Sequence, residues 1–300
     1  MTSAAIETRS TSAPADLRKA PIDKIPFLVV PAVLFLVGLF IYPFLYGFVL
    51  SFQPAKGDWL ENYRVFFSDS RAWKTVITTF QIALPATIIN VFIAVPIAFR
   101  MRHKSRYQRW VTTILVVPMT LGTVLIAEGM LTYFGPKGWL SHFLQLIHLY
   151  DGPIKLTHNY AGVLISLIIS GFPFAFLLIL SYVTGIDPVL ARAAATLGAN
   201  PWNQFRYVYL PLLLPGLAIT FCLAFVQAFS VFPSAVLVGN PSGVTRVISI
   251  AAYEAAFEDY DYSKASAIAM IMGFAQLAFV VLVLGLRQTF YRGPVTGGKG

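Results

Sequence analysis

Few residues in this chain have the types and spacing that chemistry needs. The histidines are His103, His142, His148 and His158. His142 and His148 fall on different faces of a helix, and no pair has metal-ligand spacing. Gly-x-Ser-x-Gly, His-Glu-x-x-His and paired carboxylates within an apolar run are all missing from the sequence. Nucleophilic, metal-assisted and acid–base catalysis therefore have no constellation to work with. Glu128 is the single carboxylate well inside an apolar run. Such a group faces a cavity or a partner, or else sits at the membrane interface. Gly293, Gly298 and Lys299 have the spacing that begins a phosphate-cradling loop, G-x-x-x-x-G-K. Gly300 stands where Ser or Thr would hold a metal ion, so the expectation is no ATPase site here. Cys222 is the only cysteine and lies in an apolar run, where a small core role fits it.

The elements that would position these residues are long and apolar. The chain has 300 residues, of which 57% are hydrophobic and only 12% charged. A soluble domain carries about 25% charged residues. Residues 1–26 are rich in Ser, Thr, Ala and Pro and read as a flexible tail, as do 288–300. Between them, apolar runs predict six spanning helices near 27–50, 75–99, 111–133, 160–183, 211–232 and 264–286. Each is long enough for the roughly 20 residues that a bilayer demands. The first is too long for a cleaved leader and is taken as a span. The fold class is an all-α membrane protein.

The net charge of +9 is a topology signal. Basic residues gather on one side: Arg18, Lys19 and Lys24 in the tail, Arg100 to Arg109 in the second connection, Arg192 and Arg206 in the fourth, Arg287 and Arg292 at the end. The acids are distributed the other way. The positive-inside rule puts both termini in the cytoplasm. No basic face is interleaved with aromatics on a soluble domain, so a nucleic-acid partner is not expected. On the outer side, 138–149 predicts a short interfacial or packing helix. Val244 to Lys264 holds either a short helix that docks an external partner or a solvated loop. Pro233 to Gly243 supplies loop signals.

The longest polar excursion on the basic side is GIDPVLARAAATLGANPWNQFRYVYLPLLLP, Gly185 to Pro215. Gly185 suits a left-handed cap on the fourth span. Asp187 then caps a new helix with Pro188 at its first position, and Asn200 with Pro201 repeats that start. Gly198 separates the two. The first helix presents a smooth alanine face. The second, Trp202 to Leu210, runs into Pro211 at the membrane. The result is a compact elbow over 187–210.

The elbow resembles the loop motif of ABC importer permeases, the binding-protein-dependent membrane subunits. That motif is Glu-Ala-Ala, three residues, Gly, nine residues, Ile, one residue, Leu-Pro. Ala193, Ala194, Gly198, Val208, Leu210 and Pro211 stand at those spacings. Arg192 departs from the Glu, and Val208 replaces the Ile. The resemblance runs from the first span to about residue 287. It implies the transmembrane domain of a type I importer, in a bacterial inner membrane, within a permease domain of 27–287. It also implies that the elbow sits in a cleft of an ATP-binding subunit. Asp187, Arg192, Ala193, Ala194, Gly198, Ala199, Trp202 and Phe205 are the expected coupling residues. The implied partners are a dimer of ATP-binding subunits, a second permease subunit (different or identical) and an extracytoplasmic solute-binding protein. ATP and Mg would bind the ATPase, and this chain would bind no cofactor.

Asn90, Glu128, Gln227, Ser230 and Gln276 are the candidates for the solute path, with interhelical hydrogen bonding as the competing role. Pro85, Pro96, Pro173, Pro211 and Pro215 mark kinks that flex during transport or simply pack. An ion-driven secondary transporter would show more intramembrane carboxylates or paired broken helices, and no half-repeat is evident. The region FGPKGWLSHFLQLIHLYDGPIKLTHNYAGVLISL and the segment IDPVLARAAATLGA resemble polyamine-type permeases. YEAAFEDYDYSKASAIA resembles permeases of the sugar and glycerol-phosphate type. The expectation is a polyamine-like solute, with sugars, glycerol-phosphate, opines, phosphonates and iron as alternatives.

Overall fold

The computed structural model describes residues 25–103, 105–135, 138–146 and 156–290. Within them the helices are α1 (Ile25–Leu36), α2 (Tyr42–Ser51), α3 (Glu61–Ser68), α4 (Ser70–Arg100), α5 (Arg106–Phe134), α6 (Trp139–Leu146), α7 (Tyr160–Thr184), α8 (Pro188–Thr196), α9 (Pro201–Gln204), α10 (Leu210–Phe229), α11 (Pro233–Leu237), α12 (Ile248–Phe257) and α13 (Tyr262–Phe290). No strand occurs among the described residues. Six helical stretches are long and apolar enough to cross a bilayer: Val29–Ser51, Ser70–Arg100, Arg106–Phe143, Tyr160–Thr184, Pro201–Phe229 and Tyr262–Arg287. Each overlaps one of the six expected runs. The expected flexible tails 1–26 and 288–300 fall mostly outside the described residues, as does the Gly293–Lys299 spacing.

The chain divides into two units, Met1–Tyr46 and Gly47–Gly300. In the first, α1 passes through a π-turn, Val37–Ile41, into α2, and the described side chains from Val29 to Tyr46 are exposed. The N–H of Tyr42 donates to the carbonyl of Val37, one residue farther than in an α-helix. Pro43 comes next, and its ring would crowd the carbonyl of Leu39 in a regular turn. The wider turn makes the room.

In the second unit α4 packs most extensively on α7, and α10 lies against both. Small residues let these helices approach, as is usual between membrane helices. Ala83, Ala86, Ala94 and Ala98 of α4 are fully buried. Two cores form along the helix axes. One joins the start of α4 to α10, α12 and α13 through Ile82, Phe225, Phe229, Ile248 and Ile268. The other joins the end of α4 to α7 and α10 through Ala94, Ala98, Phe176, Ile179, Val183, Tyr209 and Leu213.

Four expectations are corrected. Gly185 is not left-handed, with φ −77 and ψ −12. The chain instead turns out through Asp187, which is extended at φ −60 and ψ 122. The segment from Pro233 to Gly243 is not all loop, because Pro233 at the first position starts the short helix α11. The third span is broken, since Gly122 adopts φ 74 and ψ 164 inside α5. Gly122 itself is the sequence signal for that break, since glycine takes a positive φ without steric cost. Finally, the fifth span does not begin at 211. A π-turn, Phe205–Tyr209, carries α9 directly into α10, so the fifth span begins at Pro201. The N–H of Leu210 donates to the carbonyl of Phe205, again just before a proline. α6 lies in the short helix expected over 138–149, of which residues 147–149 lie outside the described residues, and α12 shows that Val244–Lys264 contains a helix, the first of its two alternatives.

Candidate functional site

The elbow is built almost entirely from local hydrogen bonds. Asp187 Oδ1 accepts from the N–H of Val189 at 2.8 Å. Pro188 at the first helical position lacks the N–H that would otherwise go unpaired. α8 ends at Thr196, and Gly198 turns the chain at φ +84, where a Cβ would cost strain. The N–H of Ala199 returns to the carbonyl of Ala194 at 3.0 Å. Asn200 Oδ1 then accepts from the N–H of Asn203 at 2.8 Å and starts α9. Gln204 Nε2 donates back to the carbonyl of Ala199 at 2.9 Å, closing the bend.

Aromatic rings fasten this bend to the end of α4. The Phe99 ring meets Phe205 at 4.8 Å and Tyr209 at 5.0 Å, both edge to face. Trp202 lies 5.8 Å from Phe205. The Arg102 guanidinium stacks 4.2 Å from the Phe99 centroid and 5.4 Å from that of Tyr209. Its Nη1 also donates to the carbonyl of Phe99 at 3.0 Å. Tyr209 is buried with Val183 and Leu213, so the anchor reaches the inner core.

Several apolar side chains of the elbow are uncovered. Leu197 is 89% exposed and Trp202 64%, with Val189, Leu190 and Ala193 also exposed. Ala194, Ala199 and Phe205 are half-buried, and Asp187 and Arg192 are exposed. Arg192 lines a cleft with Arg102, His103, Ala191 and Gln204 and makes no ion pair among the described residues. The structure thus gathers all eight expected coupling residues on one bend. Its anchors, Phe99, Arg102 and Tyr209, were missed by sequence reasoning. No local pattern signals them, because the contact depends on the register of α4 against α10.

The expected path residues are scattered by comparison. Asn90 is buried and donates through Nδ2 to the carbonyl of Leu167 on α7 at 3.2 Å. Gln276 Nε2 donates to Ser230 Oγ at 2.8 Å and ties α13 to the end of α10. Glu128 and Gln227 are exposed. No hydrogen bond joins Asn90, Glu128 or Gln227 to the Ser230–Gln276 pair among the described residues. Sequence reasoning also missed Thr79. This buried hydroxyl accepts from the N–H of Ile248 at 2.9 Å and so caps the outer helix α12 from within the second span.

Residues 90–293 match the family described as binding-protein-dependent transport system inner membrane component. The chain belongs to that family. The match takes in the elbow and the spans from the second half of α4 onward. This inner-membrane component is 30% identical over 219 residues to the probable sulfate transport system permease protein cysT of Marchantia polymorpha, covering 71% of this chain and 74% of that one. It is 30% identical over 182 residues to the spermidine/putrescine transport system permease protein PotB of Haemophilus influenzae, covering 60% and 63%. It is 29% identical over 238 residues to the thiamine transport system permease protein ThiP of Salmonella typhimurium, covering 78% of this chain and 42% of that one. Among solved structures, a bacterial alginate ABC transporter in complex with an alginate pentasaccharide-bound periplasmic protein shares the fold. Its matched chain superposes with a TM-score of 0.77 at 19% identity, covering 90% of this permease component and 96% of that chain.

Proposed function

We propose that this chain is the membrane-spanning subunit of an ATP-driven, binding-protein-dependent importer and forms half of its translocation path. The observation that carries the reading is the elbow. It is capped by its own residues, leaves Val189, Leu190, Leu197 and Trp202 exposed, and is bolted by aromatic rings to the second span. That combination suits a rigid lever gripped by another protein. ATP and Mg bind the partner ATPase dimer, and this chain supplies no ATPase site and binds no cofactor. ATPase closure displaces the elbow as one body. Phe99, Arg102 and Tyr209 pass the displacement to α4 and α10, and the path opens toward the outside. A solute-binding protein delivers the solute there. A second permease subunit supplies the other half of the path.

The solute is polyamine-like in this reading. Glu128 is the single carboxylate within the six spans, and the cations of those spans lie near their ends. A cationic solute gains from that balance, whereas an anion does not. Asn90, Gln227, Ser230 and Gln276 are the neutral polar candidates for the path, although Asn90 bonds to α7 and Ser230 and Gln276 bond to each other. The named relatives span sulfate, polyamine and thiamine systems, so the family alone does not choose among solutes.

Crosslinking tests the grip. In a Cys222→Ala background, Leu197→Cys is expected to crosslink to a cysteine placed in the ATPase cleft, with a yield that changes on adding ATP. Absence of any crosslink from Leu197 or Ala194 to the ATPase, in an assembly that still imports solute, would contradict the proposal.

A further inference from the structure

The connection between α4 and α5 carries Arg100, Arg102, Lys104, Arg106 and Arg109, and no acid lies between Asp69 and Glu128. Arg102 is held by the elbow. Arg106 and Arg109 make no ion pair among the described residues. They line a cleft of about 490 Å³ with Ser105, Gln108, Thr112 and Thr184, between the start of α5 and the last residue of α7. The hydroxyls are already oriented by local bonds. Ser105 Oγ accepts from the N–H of Gln108 at 3.1 Å, and Thr184 Oγ1 donates to the carbonyl of Leu180 at 2.9 Å. What the cleft lacks is negative charge.

Beside the cleft runs a second feature. Tyr107, Trp110, Ile114, Val117 and Leu121 recur at helical spacing on α5 and are all exposed, from 71% at Tyr107 to 48% at Leu121. At about 1.5 Å per residue, this stripe extends roughly 20 Å away from the arginines. That is the reach of an acyl chain through more than half of a hydrocarbon core of about 30 Å. The aromatic pair lies at the cationic end, where membrane-interface aromatics belong.

We propose that the cleft and stripe together bind one anionic phospholipid. Its phosphate lies on Arg106 and Arg109, and its acyl chains lie along Trp110 to Leu121. An acidic segment of a protein partner would satisfy the arginines but would make no use of the apolar stripe beside them. The inference rests on the spanning helices and is independent of the solute and of the ATPase contact.

Native mass spectrometry of the purified full-length chain, with dioleoylphosphatidylglycerol and dioleoylphosphatidylcholine as probes, tests it. The phosphatidylglycerol is expected to be retained preferentially. The double variant R106Q/R109Q should lower its retention on the order of tenfold or more, from two lost cations at the surface. R106K/R109K should keep most of it, and R287Q, another inner-side cation, should leave it unchanged. Circular dichroism checks that each variant stays helical. Brominated phosphatidylglycerol should quench tryptophan fluorescence more than brominated phosphatidylcholine, and Trp110→Phe should remove that difference. Equal retention of the two lipids, or equal retention by the chain and R106Q/R109Q, would overturn the proposal. So would displacement of the lipid by inorganic phosphate alone, or a crosslink from position 110 to a protein subunit of the assembled transporter.

Discussion

The ring of Tyr209 lies edge to face with that of Phe99 at 5.0 Å, joining the start of the fifth span to the end of the second. Both residues belong to the aromatic cluster that attaches the elbow to the second span. Force applied at Leu197 or Trp202 reaches the path through this contact. Tyr209→Ala should therefore lower ATP-driven uptake strongly and destabilise the chain by about 3 kcal/mol, typical of a large buried aromatic cut to Ala. Tyr209→Phe keeps the ring contact and should stay near normal. Thermal melting of the purified chain and uptake in proteoliposomes measure the two effects.

Gly198 gives a backbone test free of packing. A Cβ there would meet nothing within 4 Å, yet φ is +84. Any loss is then conformational, about 1–2 kcal/mol for an ordinary residue forced into the left-handed region. Gly198→Val should impair uptake more than Gly198→Asn, since Asn tolerates that region. Equal effects of the two substitutions would place the role of Gly198 in a contact with the ATPase instead.

Arg192 reverses the charge of the family motif. The expected consequence is a compensating acid on the partner ATPase, or no contact at this position. Arg192→Glu alone should weaken ATPase binding, and a Lys in place of the partner's acid should restore it. Full uptake by Arg192→Glu with an unaltered ATPase would show that the position makes no contact.

These three positions also mark how much was legible beforehand. The caps Asp187–Pro188 and Asn200–Pro201 and the turn at Gly198 are local chemistry, and the structure places them where the residues demand. The six spans follow from apolar length in the same way. What was hidden depends on residues far apart in sequence. The Phe99–Tyr209 contact needs the register of α4 against α10, which no local pattern encodes. Gly185 was misread because its neighbour Asp187 supplies the turn that a left-handed glycine would otherwise make. Ser230 and Gln276 are polar in sequence whether they line a path or bond each other, and only their 2.8 Å separation shows the bond.

Thr79 gives the clearest case of such a long-range partner. Its hydroxyl donates to the carbonyl of Thr75 at 2.6 Å and accepts the first N–H of α12 at 2.9 Å. Thr79→Val leaves a buried N–H unpaired, at a cost of about 1–3 kcal/mol. Hydrogen exchange should quicken across Ile248–Phe257 in Thr79→Val and remain slow in Thr79→Ser.

Glu128→Gln separates the solute assignment from the machine. If the solute is cationic, uptake should fall while ATP hydrolysis by the assembled transporter continues. Unchanged polyamine uptake, or a specific gain for an anion, would redirect the search toward the other solute classes.

The most direct test of the account is solute uptake by proteoliposomes that contain this chain, its second permease subunit, the binding protein and the ATPase. Uptake is predicted to require hydrolysable ATP, and to vanish when the ATPase is left out or its hydrolysis is blocked. Uptake by this chain without any ATPase, driven by a proton or sodium gradient, would contradict the account.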